Sequence, residues 1–349
     1  MSWAKAEKLT LRAHLFSPLA GIVFLLCASL GPAQERPGKQ LQPLNVSYAS
    51  VTGSRIPLWI AKDAGLFEKY GLSVNLIVIA AGNTAIGALM GGDVDILGAP
   101  GTTSMVSAAR GLPVVIIGTF GPGFWKLAAH PSITSIQELK GKTVGTSRPG
   151  TTIDFALRRA LLKLGLVPGK DVNILATGLG ESIKRVFIMQ QGKIDATLVS
   201  PDNLYEAESK GLKVSVLADL RELGIYTSAS DLSARRDFIK AHRSRARSFL
   251  AAYCEAIWLG RSNKAVALAS FRKYMRESDP KRLEVFYKNY VEDALPLKPY
   301  PIEEVIQADI ENLSSTMTEM RGKKPSDFID KTLLSELEEE GFFARLYNR

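Results

Sequence analysis

Two short loops offer most of the chemistry in this sequence. Ala99-Pro-Gly-Thr-Thr-Ser104 and Ser147-Arg-Pro-Gly-Thr-Thr-Ile153 both follow an apolar strand-like run and both place hydroxyl residues where a helix begins. The amino end of a helix carries unpaired N–H groups and a partial positive charge, which suits a carboxylate, sulfonate or phosphate. The plainer role of such residues is to cap the helix. Two such loops, one in each half of an α/β pattern, predict a shared anion site. Enzymatic signatures are thin by comparison, with no GxSxG, HExxH, CxxC or Walker loop. Residues 118–123 are glycine-rich but lack dinucleotide spacing and read as a crossover loop. Asp93 and Asp95 read as turn and strand-edge residues, His130 as a turn residue, and Cys254 as helix core.

The elements that must hold these loops alternate. Strands are predicted at residues 44–49, 74–80, 94–97 and 114–118, with helices at 57–70, 84–90 and 102–110 between them. A second run has strands at 125–129, 143–145, 172–176, 196–199 and 214–217, with helices at 151–164, 183–191 and 203–210. Residues 231–349 read as almost wholly helical. This is an α/β pattern, and in open parallel sheets ligands sit at the carboxyl ends of the strands.

Length and composition narrow the class. The chain has 349 residues, 46% of them hydrophobic and 23% charged, which fits two globular lobes and excludes a disordered or multi-span protein. Two cysteines and three histidines leave no disulfide framework and little metal chemistry, so neither cofactor nor metal is expected. The net charge of +9 raises a nucleic-acid reading. Its one local cluster, Arg235 to Arg247, lacks stacking aromatics or a reader motif and reads as a solvated helix face, so no nucleic-acid partner is expected.

The first thirty-three residues read as a signal peptide. Lys5, Lys8 and Arg12 precede an apolar run from Leu19 to Leu30, and Gly31 and Ala33 suit a cut before Gln34. Lipid anchoring at Cys27 is the alternative, disfavoured by Leu26 where a lipobox carries a small residue. The expected location is the periplasm.

A family resemblance then emerges. Ile56-Pro-Leu-Trp-Ile-Ala-Lys-Asp-Ala-Gly-Leu-Phe-Glu-Lys-Tyr-Gly-Leu72 resembles the opening of nitrate/sulfonate/taurine-type solute-binding proteins of ABC importers, whose relatives include thiamine-precursor-synthase-like proteins. Ala88-Leu-Met-Gly-Gly-Asp-Val-Asp95 and Ala108-Ala-Arg-Gly-Leu-Pro-Val114 follow in the same order. So do Ile136-Gln-Glu-Leu-Lys-Gly-Lys-Thr-Val-Gly145 and Gly165-Leu-Val-Pro-Gly-Lys-Asp-Val172. The resemblance covers roughly residues 44–217.

It implies a type II periplasmic binding protein fold, two doubly wound α/β lobes with a cleft between them and a helical C-terminal tail. Lobe 1 would comprise residues 44–120 and 226–349, and lobe 2 residues 121–225. Carried over by position, the site would use Ser50, Thr52 and Arg55 after the first strand, and Gly82 and Asn83 after the second. Pro100, Gly101, Thr102 and Thr103 would follow the third, and Thr119 and Phe120 the fourth. The opposite lobe would contribute Ser147, Arg148, Gly150, Thr151 and Thr152, with Ser200, Pro201 and Asp202 reaching in. Arg55 and Arg148 are the candidate cations, Phe120 and Trp125 candidate walls, and Trp59 a core residue. The implied role is a monomeric, non-catalytic receptor that delivers a small anionic organic solute to an ABC permease and its ATPase. The alternative is an enzyme on the same fold acting on a small heterocycle. Against it, this chain lacks the cysteine-rich segment and histidines of the precursor synthases.

Overall fold

The structure, a computed structural model, describes residues 40–123, 125–228 and 230–348. The signal-peptide reading, Cys27 included, lies outside the described residues. Twelve strands are present among them: β1 (Gln42–Tyr48), β2 (Leu72–Val78), β3 (Ile96–Ala99), β4 (Val114–Thr119), β5 (Pro122–Gly123), β6 (Lys126–Ala129), β7 (Thr143–Thr146), β8 (Asn173–Ala176), β9 (Ala196–Val199), β10 (Ser215–Asp219), β11 (Thr227–Ser228) and β12 (Asp231–Arg235). They form two five-stranded sheets, β2-β1-β3-β12-β4 and β10-β6-β9-β7-β8, and a small ribbon of β5 with β11.

Each sheet has one strand against the grain, and chain order explains it. β1, β2 and β3 run parallel, whereas β12 is antiparallel to both β3 and β4. In the second sheet β7 is parallel to β8 and β9, whereas β6 is antiparallel to β9 and β10. β6 and β12 are the first full strands after each crossing of the chain between the sheets. A strand that starts at a crossing runs away from it, so the parallel strands of both sheets run toward it. Their carboxyl ends, and the loops that follow, therefore converge on one place.

The presence of β12 corrects the expectation that residues 231–349 are almost wholly helical from their start. Its sequence, Asp-Leu-Ser-Ala-Arg, has no β-branched residue, so intrinsic preference gives no strand signal. The slot between β3 and β4 imposes the conformation, and Ser104 Oγ donates to Ser233 Oγ at 2.8 Å within it. The helix read over 57–70 is likewise two pieces, Ile56–Asp63 and Leu66–Lys69.

The apolar interior is divided in the same way. One buried cluster joins sheet residues such as Val46, Ile96 and Ile117 to helix residues Trp59, Phe249, Tyr253 and Ile257. A second gathers Leu127, Val144, Leu157, Leu161 and Leu198. Trp59 is fully buried and stacks on Tyr274 with centroids 5.0 Å apart, a core role. The two halves share one edge device: Asp95 Oδ2 accepts from Asn45 N at 2.9 Å, and Asp195 Oδ2 from Thr143 N at 2.8 Å. That accounts for the Asp93–Asp95 pair as strand-edge chemistry. The basic cluster is mostly paired: Arg243 with Glu336, Arg247 with Glu340, Arg235 with Asp237, and Arg236 and Arg245 on backbone carbonyls.

The crossing is tightly packed. Gly121 has φ +94°, and a Cβ there would lie 2.3 Å from the Ala294 carbonyl oxygen. Gly121→Ala is therefore expected to lower stability by about 2 kcal/mol or more, from the left-handed backbone and the clash together. Urea unfolding measures this, and an unchanged midpoint would mean that the crossing gives way easily.

Candidate functional site

Where the strand ends converge there is a cavity of 330 Å³. The loop after β1 supplies Ser50, Thr52, Ser54 and Arg55, and the residue after β4 supplies Phe120. Pro122, Gly123 and Trp125 come from the crossing. The second sheet's loops add Thr152, Ile153, Ser200, Pro201 and Asp202. Asn289, Tyr290 and Ala294 arrive from the C-terminal region. The walls are largely apolar with a few convergent polar groups, the usual form of a small-molecule site.

Arg55 dominates the electrostatics. It closes a single turn, Gly53–Arg55, just before the helix that starts at Ile56, and it is only 3% exposed. Its Nη2 donates to Ser230 Oγ, and its guanidinium lies 4.4 Å from the centroid of the Phe120 ring. Nε and Nη1 have no hydrogen-bond partner among the described residues. Burial lowers its pKa to about 10, partly opposed by Tyr253, Asp231, Tyr290 and Tyr48, so it stays cationic at neutral pH. A buried cation with two unpaired donors costs several kcal/mol in a folded protein, of order the desolvation penalty, unless an anion reaches it.

Phe120 is a firm platform beneath that cation. Tyr253 meets it edge-on at 5.6 Å and 89°, and Tyr253 Oη donates to the Thr119 carbonyl at 2.9 Å. Tyr290 stands on a π-helical stretch, Tyr287–Asp293, and a Cβ on Gly53 would come within 2.1 Å of its ring. Glycine at 53 is what lets the ring lie against the loop. Burial raises the Tyr290 phenol well above its ordinary value, and its hydrogen bond with Asp202 adds to the rise while Arg55 opposes it. The phenol is therefore a neutral donor.

Of the residues expected at the site, Ser50, Thr52, Arg55, Phe120, Thr152, Ser200 and Asp202 meet around this cavity, with Pro201 and Trp125. The others lie elsewhere, for identifiable reasons. Ser147 Oγ and Thr151 Oγ1 are 2.8 Å apart, Thr151 Oγ1 donates to the Arg148 carbonyl and accepts from Asp154 N, and Gly150 N donates to Asp154 Oδ2. That loop's polar groups mainly cap their own helix, and Arg148 is exposed. Thr119 Oγ1 accepts from Gly121 N at 3.1 Å and serves the crossing. Gly82 and Asn83 open the helix Gly82–Gly91, close to Thr103. Pro100, Gly101, Thr102 and Thr103 open the helix Gly101–Ala109. Neither group lines the cavity. Asn289 and Tyr290 were not foreseen, because a helix-period pattern assigns residues to core or solvent and does not reveal a local π turn.

The lining offers one cation, one carboxylate, a phenol, an amide and several hydroxyls, a set suited to binding a small polar molecule. Cys254 is fully buried in the helix Arg243–Ser262, its thiol raised by desolvation. Among the described residues no group of three His, Cys, Asp or Glu is placed to hold a metal.

Two parallel-stranded α/β sheets with one reversed strand each, joined by a paired crossing beside a cleft, define a type II periplasmic binding protein fold. The NMT1/THI5-like family model matches residues 53–259, more than half of the sequence, and the chain belongs to that family. Among solved structures, the periplasmic aliphatic sulphonate binding protein SsuA from Escherichia coli is similar with a TM-score of 0.64 and 24% identity, over 83% of this chain and 92% of that one. The periplasmic nitrate-binding protein NrtA from Synechocystis PCC 6803 has a TM-score of 0.61 and 14% identity, over 86% and 89%. A Brucella abortus protein named as a binding protein is 34% identical over 126 residues, 36% of this chain and 38% of its own length. The aligned stretch thus spans well under half of that relative.

Proposed function

We propose that this protein is an extracytoplasmic receptor that captures a small anionic organic solute and delivers it to the membrane permease of an ABC importer. One observation carries the reading: Arg55 Nε and Nη1 are buried, cationic and unpartnered at a cavity of 330 Å³. The family and fold support the transport role, since the solved relatives are named for sulphonate and nitrate binding. In this reading lobe 1 comprises residues 44–120 and 226–349 and lobe 2 residues 121–225, and closure is a hinge motion about the crossing. Residues 1–33 direct export to the periplasm.

Arg55 links ligand to hinge directly. Its Nη2 holds Ser230, and Phe120 beneath it donates its N–H to the Ser230 carbonyl at 3.1 Å. An anion on the free nitrogens would therefore sit on the residues where the chain crosses between sheets, while Thr152 and Ser200 approach from the other side.

A thermal-shift screen against organic sulfonates, carboxylates, phosphates, nitrate and pyrimidines tests this. A ligand of the folded state stabilises it by about 2.7 kcal/mol when present at a hundred times its dissociation constant. A coherent class of anionic hits, recovered chemically unchanged, is the expected result. Hits recovered as product would make the protein an enzyme, and a screen in which only neutral compounds bind would remove the anion reading.

A further inference from the structure

The second sheet has a buried cation of its own. Arg185, on the helix Ser182–Gln190, is fully buried, and none of its hydrogen-bond partners is a carboxylate. Burial lowers its pKa to about 10, so it stays charged at neutral pH. An apolar side chain of similar volume would avoid that desolvation. Unlike Arg55, Arg185 has a partner on every nitrogen and does not line the cavity.

Its partners explain why an arginine stands there. Nε donates to Thr197 Oγ1 at 2.9 Å, Nη1 to the carbonyls of Leu179 and Gly180 at 2.7 and 3.0 Å, and Nη2 to the Leu198 carbonyl at 2.9 Å. Thr197 Oγ1 in turn donates to the Gly145 carbonyl at 2.8 Å. Gly145 lies in β7, Leu179 and Gly180 follow β8, and Leu198 lies in β9. One guanidinium therefore gathers the carboxyl ends of the parallel strands β7, β8 and β9. A planar fork of fixed donors suits that task, and a single ammonium point charge does not.

The gathered segments lead to the cavity. Ser200, two residues beyond Leu198, lines it, and its N–H donates to Ser182 Oγ at 3.3 Å, on the same helix as Arg185. Ser182 Oγ also donates to Asn203 Oδ1 at 2.7 Å, which fixes the start of the helix that carries Asp202. After β8, the N–H groups of Thr177 and Gly178 donate to the Thr146 and Ser147 carbonyls at 3.0 and 2.7 Å. From there the chain runs on to Thr152, another lining residue.

We propose that Arg185 is the positioning residue for the second-sheet wall of the cavity: it touches no solute, and it sets where Ser200 and, through residues 145–147, Thr152 stand. This rests on the reading of the cavity as an anion site and adds a residue that acts there only through others.

The test uses R185K, which keeps the charge and loses the fork, in the full-length chain. Amide hydrogen exchange, resolved residue by residue by NMR, is read first on the ligand-free protein. R185K is expected to lose protection by roughly tenfold or more at Thr177, Gly178 and Ser200, while β1, β3 and β4 keep theirs. Protection lost evenly through the chain, or unchanged at those three amides, overturns the proposal. Affinity for butanesulfonate is then measured by calorimetric titration in a cycle with S200A. R185K is expected to bind about tenfold more weakly than the wild type, but to cost less than about threefold in the S200A background, because both changes act through one group. Equal losses in the two backgrounds would make Arg185 a residue of general stability and overturn the proposal. Thr197→Val removes the relay to Gly145 and leaves the bonds from Arg185 to the three carbonyls. It is expected to expose Thr177 and Gly178 to exchange and to spare Ser200, and unchanged exchange there counts against the inference even should R185K fold poorly. A wild type that binds no butanesulfonate counts against the anion site, and the exchange pattern still decides whether Arg185 holds the wall.

Discussion

Arg55→Met is expected to make the ligand-free protein more stable and to abolish the proposed binding of anions. The two effects share one cause. The guanidinium is 3% exposed, with Nε and Nη1 lacking hydrogen-bond partners among the described residues, so the free protein carries the desolvation of a cation that the charge of Asp231 offsets only in part. Methionine fills similar volume against Phe120 and loses the bond to Ser230 and the cation–π contact with the ring. A gain of about 1–2 kcal/mol in unfolding free energy is expected, read from urea midpoints without ligand. With a screened anion, affinity is expected to fall on the order of 100-fold or more, the usual result of removing one side of a desolvated, hydrogen-bonded charge pair. A variant that is less stable and still binds the anion would reduce Arg55 to a structural residue. The wild type should bind a pH-invariant anion evenly through neutrality and lose it as pH rises through about 10, where Arg55 gives up its proton.

The second large effect lies behind the crossing. Asp309, on the helix Glu303–Ser314, is 3% exposed and its Oδ2 has no hydrogen-bond partner among the described residues. Burial, with the charge of Asp231 added, pushes its carboxyl from 3.8 up to about 8. The folded protein therefore holds a proton that the unfolded chain releases near 3.8. Between about pH 4 and pH 8 the folded state binds more protons than the unfolded one, so this group's contribution to stability declines as pH rises across that window. Asp309→Asn keeps the shape of the neutral acid and cannot ionise. It is expected to match the wild type closely near pH 4 and to exceed it by about 5 kcal/mol by about pH 8. Parallel stability curves for the two proteins across that range would show that Asp309 is ionised and satisfied by another route.

Some of the site was legible because it depends on covalent order alone. A loop that follows a parallel strand must emerge at the sheet's carboxyl edge, so Ser50, Thr52 and Arg55 after β1, Thr152 after β7 and Ser200 after β9 could be placed at the cavity from strand pattern alone. Residue type cannot say whether a hydroxyl at a helix start faces the cleft or caps its own helix. Thr151 and Thr152 are adjacent and identical, yet Thr151 bonds Asp154 N and Arg148 O while Thr152 lines the cavity. Arg55 and Arg148 likewise looked equivalent. A turn beneath the core buries one, and an open loop leaves the other in solvent.

The sequence by itself determined the alternation of strands and helices, hence the α/β class, and the family to which its ordered motifs belong. Those properties follow from local periodicity and from short segments read one at a time. Only the tertiary structure decided that Asp231–Arg235 is a central strand, because that conformation is imposed by the neighbours on either side. It alone brought Asn289 and Tyr290, more than two hundred residues away in the chain, into one cavity with Arg55, and set Asp202 against Tyr290. Burial makes these few groups matter. Whether a charge is paired, unpaired or solvated depends on what folds over it, and the sequence around the residue does not contain that information.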